Sequence, residues 1–344
     1  MKKYLLRIVL PLLVTAAILF IFFRKTGWDE VRRAFAFLPF WAVGLYAVFS
    51  LLGTVVRTAR YRLLLGKGIG PGDLFLITLV QNFSVDLLPA RTAALGFYAY
   101  LTRQRGVILE EGASSFIIAV FYDALALGLM LGTAAFFFLR SFGAAIPRGP
   151  IAAGLVVIMA ISLAFIFLVR PAAGLARRTL RRFRSGKMAA VFASIEEYFS
   201  RHGKAGERAE LLGLSFTLKL AKYVSVYVLF SGMTGTSFTW KSLSLFSFGI
   251  AGAELSSFLP IQGLGGFGTW EAAFSLVAGK IGLGLENPFL TALVIHLTTQ
   301  VWEYSLGLAA LWILSIRVRR QKWPTGDLGQ AERSYFNSKK GPHP

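Results

Sequence analysis

Two carboxylates bracket a glycine-rich reversal in the stretch Glu254–Glu271, which reads ELSSFLPIQGLGGFGTWE. Pro260 stops one apolar run, Gly263, Gly265, Gly266 and Gly268 follow, and a second apolar run opens at Trp270 and Glu271. Proline removes a backbone donor and glycine admits positive φ, so the chain turns back here. The glycine amides and the helix start near Thr269 offer N–H groups and a partial positive end, a setting that suits a phosphate. A tight turn of packed glycines with no ligand is the other reading. The spacing also matches the dinucleotide pattern G-x-G-x-x-G, but that pattern needs a preceding strand and a βαβ unit, which an apolar run does not supply.

Other residues carry chemistry at a distance from this turn. Arg91 follows a second Leu-Pro, Leu88-Pro89, and Asn82 and Asp86 share a helix face just before it. An arginine deep in a bilayer needs a partner: Asp86, Asp123, Glu254 or a lipid phosphate. In a shallow hairpin, Arg91 snorkels to the headgroups instead. Glu271 is a further carboxylate to balance it. His296, Gln300 and Glu303 fall on one face at i, i+4 and i+7. They form either a proton relay, since histidine titrates near neutral pH, or a satisfied interhelical hydrogen-bond set. With three histidines and no cysteine, a metal site or a thiolate site has a poor ligand supply. No metal and no cofactor is expected.

The elements that hold these residues are apolar. The chain is 55% hydrophobic, with a mean hydropathy of +0.61. Several runs reach the roughly 20 residues that cross a bilayer. The fold class expected is an all-α polytopic membrane protein forming one domain over 1–316, with a disordered tail at 317–344. The net charge of +20 lies beside apolar runs, which points to membrane orientation and not to nucleic acid. Spans are expected at 5–23, 36–57, 113–139, 151–169, 211–231 and 288–314, the first uncleaved. Arg57, Arg60, Arg62 and Lys67 mark a basic loop after the second span. Between Arg170 and Arg208 lie ten basic residues. Within this 170–210 loop Met188, Val191, Phe192, Ile195, Tyr198 and Phe199 recur at helical spacing, as in an amphipathic surface helix that binds anionic lipid or marks topology. Lys219 and Lys222 are expected to snorkel at the cytoplasmic interface.

Counting Lys and Arg places both termini and the 57–72 and 170–208 segments in the cytoplasm of a multi-pass cell-membrane protein, with 140–150 and 232–241 outside. Residues 36–139 then read span, hairpin, span, and 211–316 read the same in opposite orientation. Two re-entrant hairpins in an inverted repeat, alongside six full spans, would meet around a polar groove, the plan of many transporters.

The segments LPARTAALGFYAYLTRQRG (Leu88–Gly106), AVFYDALALGL around Asp123, and LPIQGLGGFGTWE together resemble the lysylphosphatidylglycerol synthase transmembrane-region family of flippase-like membrane proteins, over roughly 5–316. The last motif is the most specific. Members of that family include the membrane half of the multiple peptide resistance factor, which moves aminoacylated phospholipid between leaflets, and others linked to lipid-bound sugar chemistry. The family's Gly-Glu and Arg after Leu-Pro-x-Arg are replaced by Ala93, Ala94 and Phe97, whereas Arg91, Asp123, Pro260, the glycines and Glu271 match. The resemblance implies translocation of a phospholipid or lipid-linked sugar. Its site would comprise Arg91, Asp86, Asp123, Glu254, Gly263, Gly265, Gly266, Gly268 and Glu271. Anionic lipid headgroups are the expected partners, with a glycosyltransferase or lysyltransferase as a further one. The alternatives are a membrane-embedded glycosyl- or aminoacyltransferase using an acidic base, or a non-catalytic membrane partner of such an enzyme. No nucleophile–base pair stands out, and no soluble transferase domain is expected in this chain, so transport is favoured over catalysis.

Overall fold

Backbone polar groups in a lipid environment must be satisfied within the segment, so a chain this apolar forms helices. The computed structural model describes residues 13, 15–24, 26–87, 91–141, 174–175, 178–179, 186–201, 205–256 and 264–320. Among them lie helices and turns and no strand. In chain order these are α1 (Trp28–Ala36), α2 (Phe40–Leu65), α3 (Pro71–Leu87), α4 (Arg91–Arg103), α5 (Leu109–Ser141), α6 (Gly186–Arg201), α7 (Ala205–Thr234), α8 (Trp240–Ser256), α9 (Thr269–Ile281) and α10 (Pro288–Arg320). Residues 15–23 are also helical. The expected span at 151–169, most of the 140–150 loop, both Leu-Pro turns and the tail from 321 lie outside the described residues.

Three described helical stretches are long and apolar enough to cross a membrane: Phe40–Leu65, Leu109–Ala135 and Gly206–Thr234. α10 has the length, with 33 residues. At the helical rise per residue that is about 50 Å. It also carries His296, Gln300 and Glu303 along it. The second span runs further than expected. α2 continues through Arg57, Arg60 and Arg62 to Leu65, so these arginines belong to a helix and not to a basic loop.

α2 and α7 pack along their length and run antiparallel. A Cβ added at Gly232, near the end of α7, would meet Ala42 and Pro39 at the start of α2; a Cβ at Gly53 would touch Leu218; Arg60 reaches Ser215. The small side chains let the two backbones approach closely. α3 and α10 are antiparallel in the same sense, with Gly307 against Phe83 and Arg317 bonded to Asp73.

The packing is nearly unchanged when α1, α2, α3, α4 and α5 are exchanged for α6, α7, α8, α9 and α10. α3 lies on α10 and α8 lies on α5; α2 meets α3 and α5 as α7 meets α8 and α10; α1 packs on α10 and α6 on α5. Each hairpin's first arm therefore rests on the final helix of the other half. Two apolar cores follow: one joins Tyr227, Phe230, Phe246 and Phe274, the other Tyr61, Leu74, Tyr98 and Phe116. The apolar face of α6, with Val191, Phe192, Ile195 and Tyr198, packs on Ile118, Tyr122 and Leu211. That face is turned to protein.

The ends of the bundle separate the loops into two groups. Asp73 bonds Arg105 and Arg317 at one end, which gathers the loops after α2 and α4 and the end of α10. Asn287 bonds Glu30 at the other.

Candidate functional site

The first charged cluster begins on α2, where Arg57 and Arg60 lie three residues apart and share a face. Arg60 is 1% exposed. It donates to both carboxylate oxygens of Asp123 on α5, the longer bond being 3.2 Å, and to Ser215 Oγ on α7 at 2.8 Å. Its guanidinium carbon lies 5.7 Å from the centre of the Tyr61 ring, which packs on Tyr98. Planar two-point contact is the geometry in which a guanidinium and a carboxylate bind most strongly. Arg57 donates to Asn82 Oδ1 on α3, and Asn82 in turn donates to Thr54 Oγ1.

The second cluster lies across α7 and α8. Lys219 and Lys222, again three residues apart, donate to the two oxygens of Glu254 at 2.9 and 2.8 Å, and Tyr223 Oη adds a bond of 3.1 Å. Lys222 is 47% exposed, while Lys219 and Glu254 are largely buried. Arg60 reaches Ser215 on α7, four residues before Lys219, so the two clusters meet along α7 as one seam. Four cations, Arg57, Arg60, Lys219 and Lys222, face two carboxylates, Asp123 and Glu254, along it.

A third group is built on the glycine-rich turn. Gly265, Gly266 and Gly268 have φ of 61°, 79° and 86°, the region where a side chain is strained. α9 starts at Thr269. Glu271 is fully buried in the first turn of α9. Its Oε2 accepts the Gly268 N–H at 2.6 Å, and its Oε1 lies 2.5 Å from His296 Nδ1. Gln300 Nε2 is 3.0 Å from His296 Nε2. An amide nitrogen only donates, so the ring Nε2 accepts and Nδ1–H donates to Glu271. The imidazole is held between the Phe267 ring (4.6 Å) and the Trp270 ring (4.8 Å). The turn also touches α3, and Thr15 Oγ1 donates to the Phe267 carbonyl.

Several expected partnerships are replaced. Asp123 is held by Arg60 and Glu254 by the two lysines. Lys219 and Lys222 are in an ion cluster and not snorkelling. Glu271 bonds His296 and caps its own helix. The Gly268 amide, expected to face a phosphate, is taken by that carboxylate, because the chain supplies its own anion at the helix N-terminus. His296 and Gln300 are bonded as their spacing foretold, and Glu303 accepts a bond from Tyr46 Oη at 3.4 Å. Gly263 and the side chains of Asp86 and Arg91 fall outside the described residues.

Sequence reasoning misses Arg57 and Arg60 as site residues because an arginine at the end of an apolar run reads as a topology signal. The available signal is Asp123, a lone acid inside a long apolar helix that needs a cation. A cavity of about 270 Å³ lies apart from the seam, between Gly68–Asp73 and Gln104–Arg105.

The family model described as lysylphosphatidylglycerol synthase TM region matches residues 8–307. No curated protein and no solved structure matches the chain.

Proposed function

The chain belongs to the lysylphosphatidylglycerol synthase transmembrane-region family, and from that premise we propose that it moves a phospholipid or lipid-linked sugar between leaflets, its anionic headgroup passing along the charged seam. Membership itself supports a lipid-related role in a membrane. The observation that carries the finer reading is the surplus of cations over carboxylates inside a bundle of apolar helices. Ionisable side chains in such a place are expensive and mark a pathway or site. A phosphate entering the seam would displace part of the lysine–Glu254 bonding and take charge-assisted bonds in exchange. Lys222, half exposed, is the entry group.

The exchange-related packing and the antiparallel course of α2 and α7 support an inverted repeat whose hairpins, α3–α4 and α8–α9, enter from opposite faces. Among the described residues, Arg62 and Arg103 end their helices toward the end marked by Asp73, Arg105 and Arg317, which we take as the cytoplasmic face of the cell membrane. Cysteines placed singly at Gly68 and Gly235, in a chain with none of its own, should be labelled from opposite sides. Labelling of both from one side rejects the arrangement.

The functional test uses protein in phosphatidylethanolamine–phosphatidylglycerol vesicles carrying a trace of tail-labelled fluorescent phosphatidylglycerol or a fluorescent lipid-linked sugar. An external quencher should reach the inner-leaflet probe only in vesicles with protein. Equal quenching with and without protein, for both probes, rejects translocation and leaves the chain as a membrane partner of a transferase.

A further inference from the structure

We infer that Glu271 and His296 form a proton-binding site that controls the grip on the glycine-rich turn, so that proton uptake releases the second hairpin. The inference rests on the proposed transport role and names the ion that drives it. Its basis is the shared use of one carboxylate. Oε2 of Glu271 holds the turn shut through the Gly268 N–H at 2.6 Å, while Oε1 holds His296 Nδ1 at 2.5 Å. Whatever happens to the charge on that carboxyl group is therefore felt by the turn.

The surroundings fit a group that gains and loses a proton. Two aromatic faces enclose the imidazole at 4.6 and 4.8 Å. Both groups are shielded from water, at 6% and 0% exposure, so once a proton is taken up the neutral imidazole–carboxylic acid pair is favoured over the ion pair. The acceptor Nε2 takes the incoming proton, and Gln300 turns its amide to offer Oε1 in place of the donor. The Nδ1 proton then crosses the short bond to Glu271 Oε1. The histidine ends neutral with its proton on Nε2, the carboxyl group ends neutral, and one proton has been taken up. Gly268 N–H now faces an uncharged acceptor, a weaker bond than the charge-assisted one it replaces. The N-terminus of α9 also loses the negative charge that favours it.

Among the described residues, other ionisable groups on the packed elements have partners of their own. Tyr46 of α2 bonds Glu303. Lys219, Lys222 and Tyr223 of α7 bond Glu254 of α8. Asp73 of α3 bonds Arg317, and Glu30 of α1 bonds Asn287. Tyr304, on α10 itself, stands beside Gly265 and against Phe83. The sequence pointed to Glu303 as the acidic end of this relay; the group in contact with the histidine is Glu271, from the far side of the turn.

The test attaches a nitroxide to the whole protein at Leu264→Cys, in vesicles, and reads its mobile fraction between pH 5.5 and 8. In the parent the mobile population should rise as pH falls, at up to about tenfold per pH unit for one proton. Glu271→Gln should be mobile at both ends of the range, because its acceptor is always neutral. His296→Gln should be immobile at both, because no proton reaches the carboxylate. An unchanged label in the parent, or the parent's response kept in His296→Gln, overturns the inference, and His296→Gln decides alone if Glu271→Gln fails to fold. A pH gradient across the same vesicles should change the rate of fluorescent phosphatidylglycerol translocation in the parent and not in His296→Gln. Translocation with no pH response in the label refutes the proton site and leaves the headgroup path standing. A pH response that follows the two variants, in vesicles where no probe lipid moves, upholds the proton site and rejects the transport reading.

Discussion

The Arg60–Asp123 pair and the Lys219–Lys222–Glu254 cluster use the same chemistry and differ in closure. Arg60 is 1% exposed, meets its carboxylate at two points, and is walled by Tyr61 and Ser215. The lysine cluster sets two cations against one carboxylate and leaves Lys222 47% exposed. A two-point pair whose cation is buried is costly to break. An over-supplied, half-open cluster can exchange one partner for another at small penalty. The first reads as an anchor between α2, α5 and α7, the second as the working end of the seam.

The largest effect expected is therefore from Arg60→Met, which leaves Asp123, 25% exposed, without its buried cation and should lower stability by about 3 kcal/mol. Thermal unfolding in detergent measures it, and adding Asp123→Leu should restore much of the loss. Glu254→Gln comes next. It removes the carboxylate that holds both lysines, but Lys222 already reaches solvent, so about 1–3 kcal/mol is expected in the same assay. Lys222→Met should change stability by less than about 1 kcal/mol, as half-exposed ion pairs do. It should slow translocation of fluorescent phosphatidylglycerol about tenfold, the worth of one charge-assisted bond. Arg317→Ala removes an exposed partner of Asp73 at the end of the bundle. It should stay within about 0.5 kcal/mol and leave translocation unchanged. Were Lys222→Met as destabilising as Arg60→Met, the distinction between anchor and working end would collapse.

Much of the fold is legible in the sequence because its signals are local. Pro260 and the glycines mark the second reversal, apolar period marks the helices, and Gly265, Gly266 and Gly268 do take positive φ. The motif ending in Glu271 points to the family. His296 and Gln300 share a face by spacing alone, and they bond. What sequence reading loses is pairing at long range. Asp123 stands 63 residues from Arg60, and Glu254 stands 35 from Lys219. Orientation rules count each cation as a flag of sidedness, so cations that answer a buried acid on another helix are assigned to loops and interfaces. Glu271 stands out as a site residue, but its partners follow only from knowing that the carboxylate turns back on its own helix start.

The exchange of arms between the two halves bears on how the protein is made. α3 rests on α10, and α10 is the last helix to be synthesised among those described. Until residues 288–320 have left the ribosome, the face of α3 that bears Phe83 has no protein wall. A half-inserted hairpin with polar groups in lipid is untenable. The packing of α3 is therefore completed only when α10, the last described helix, arrives.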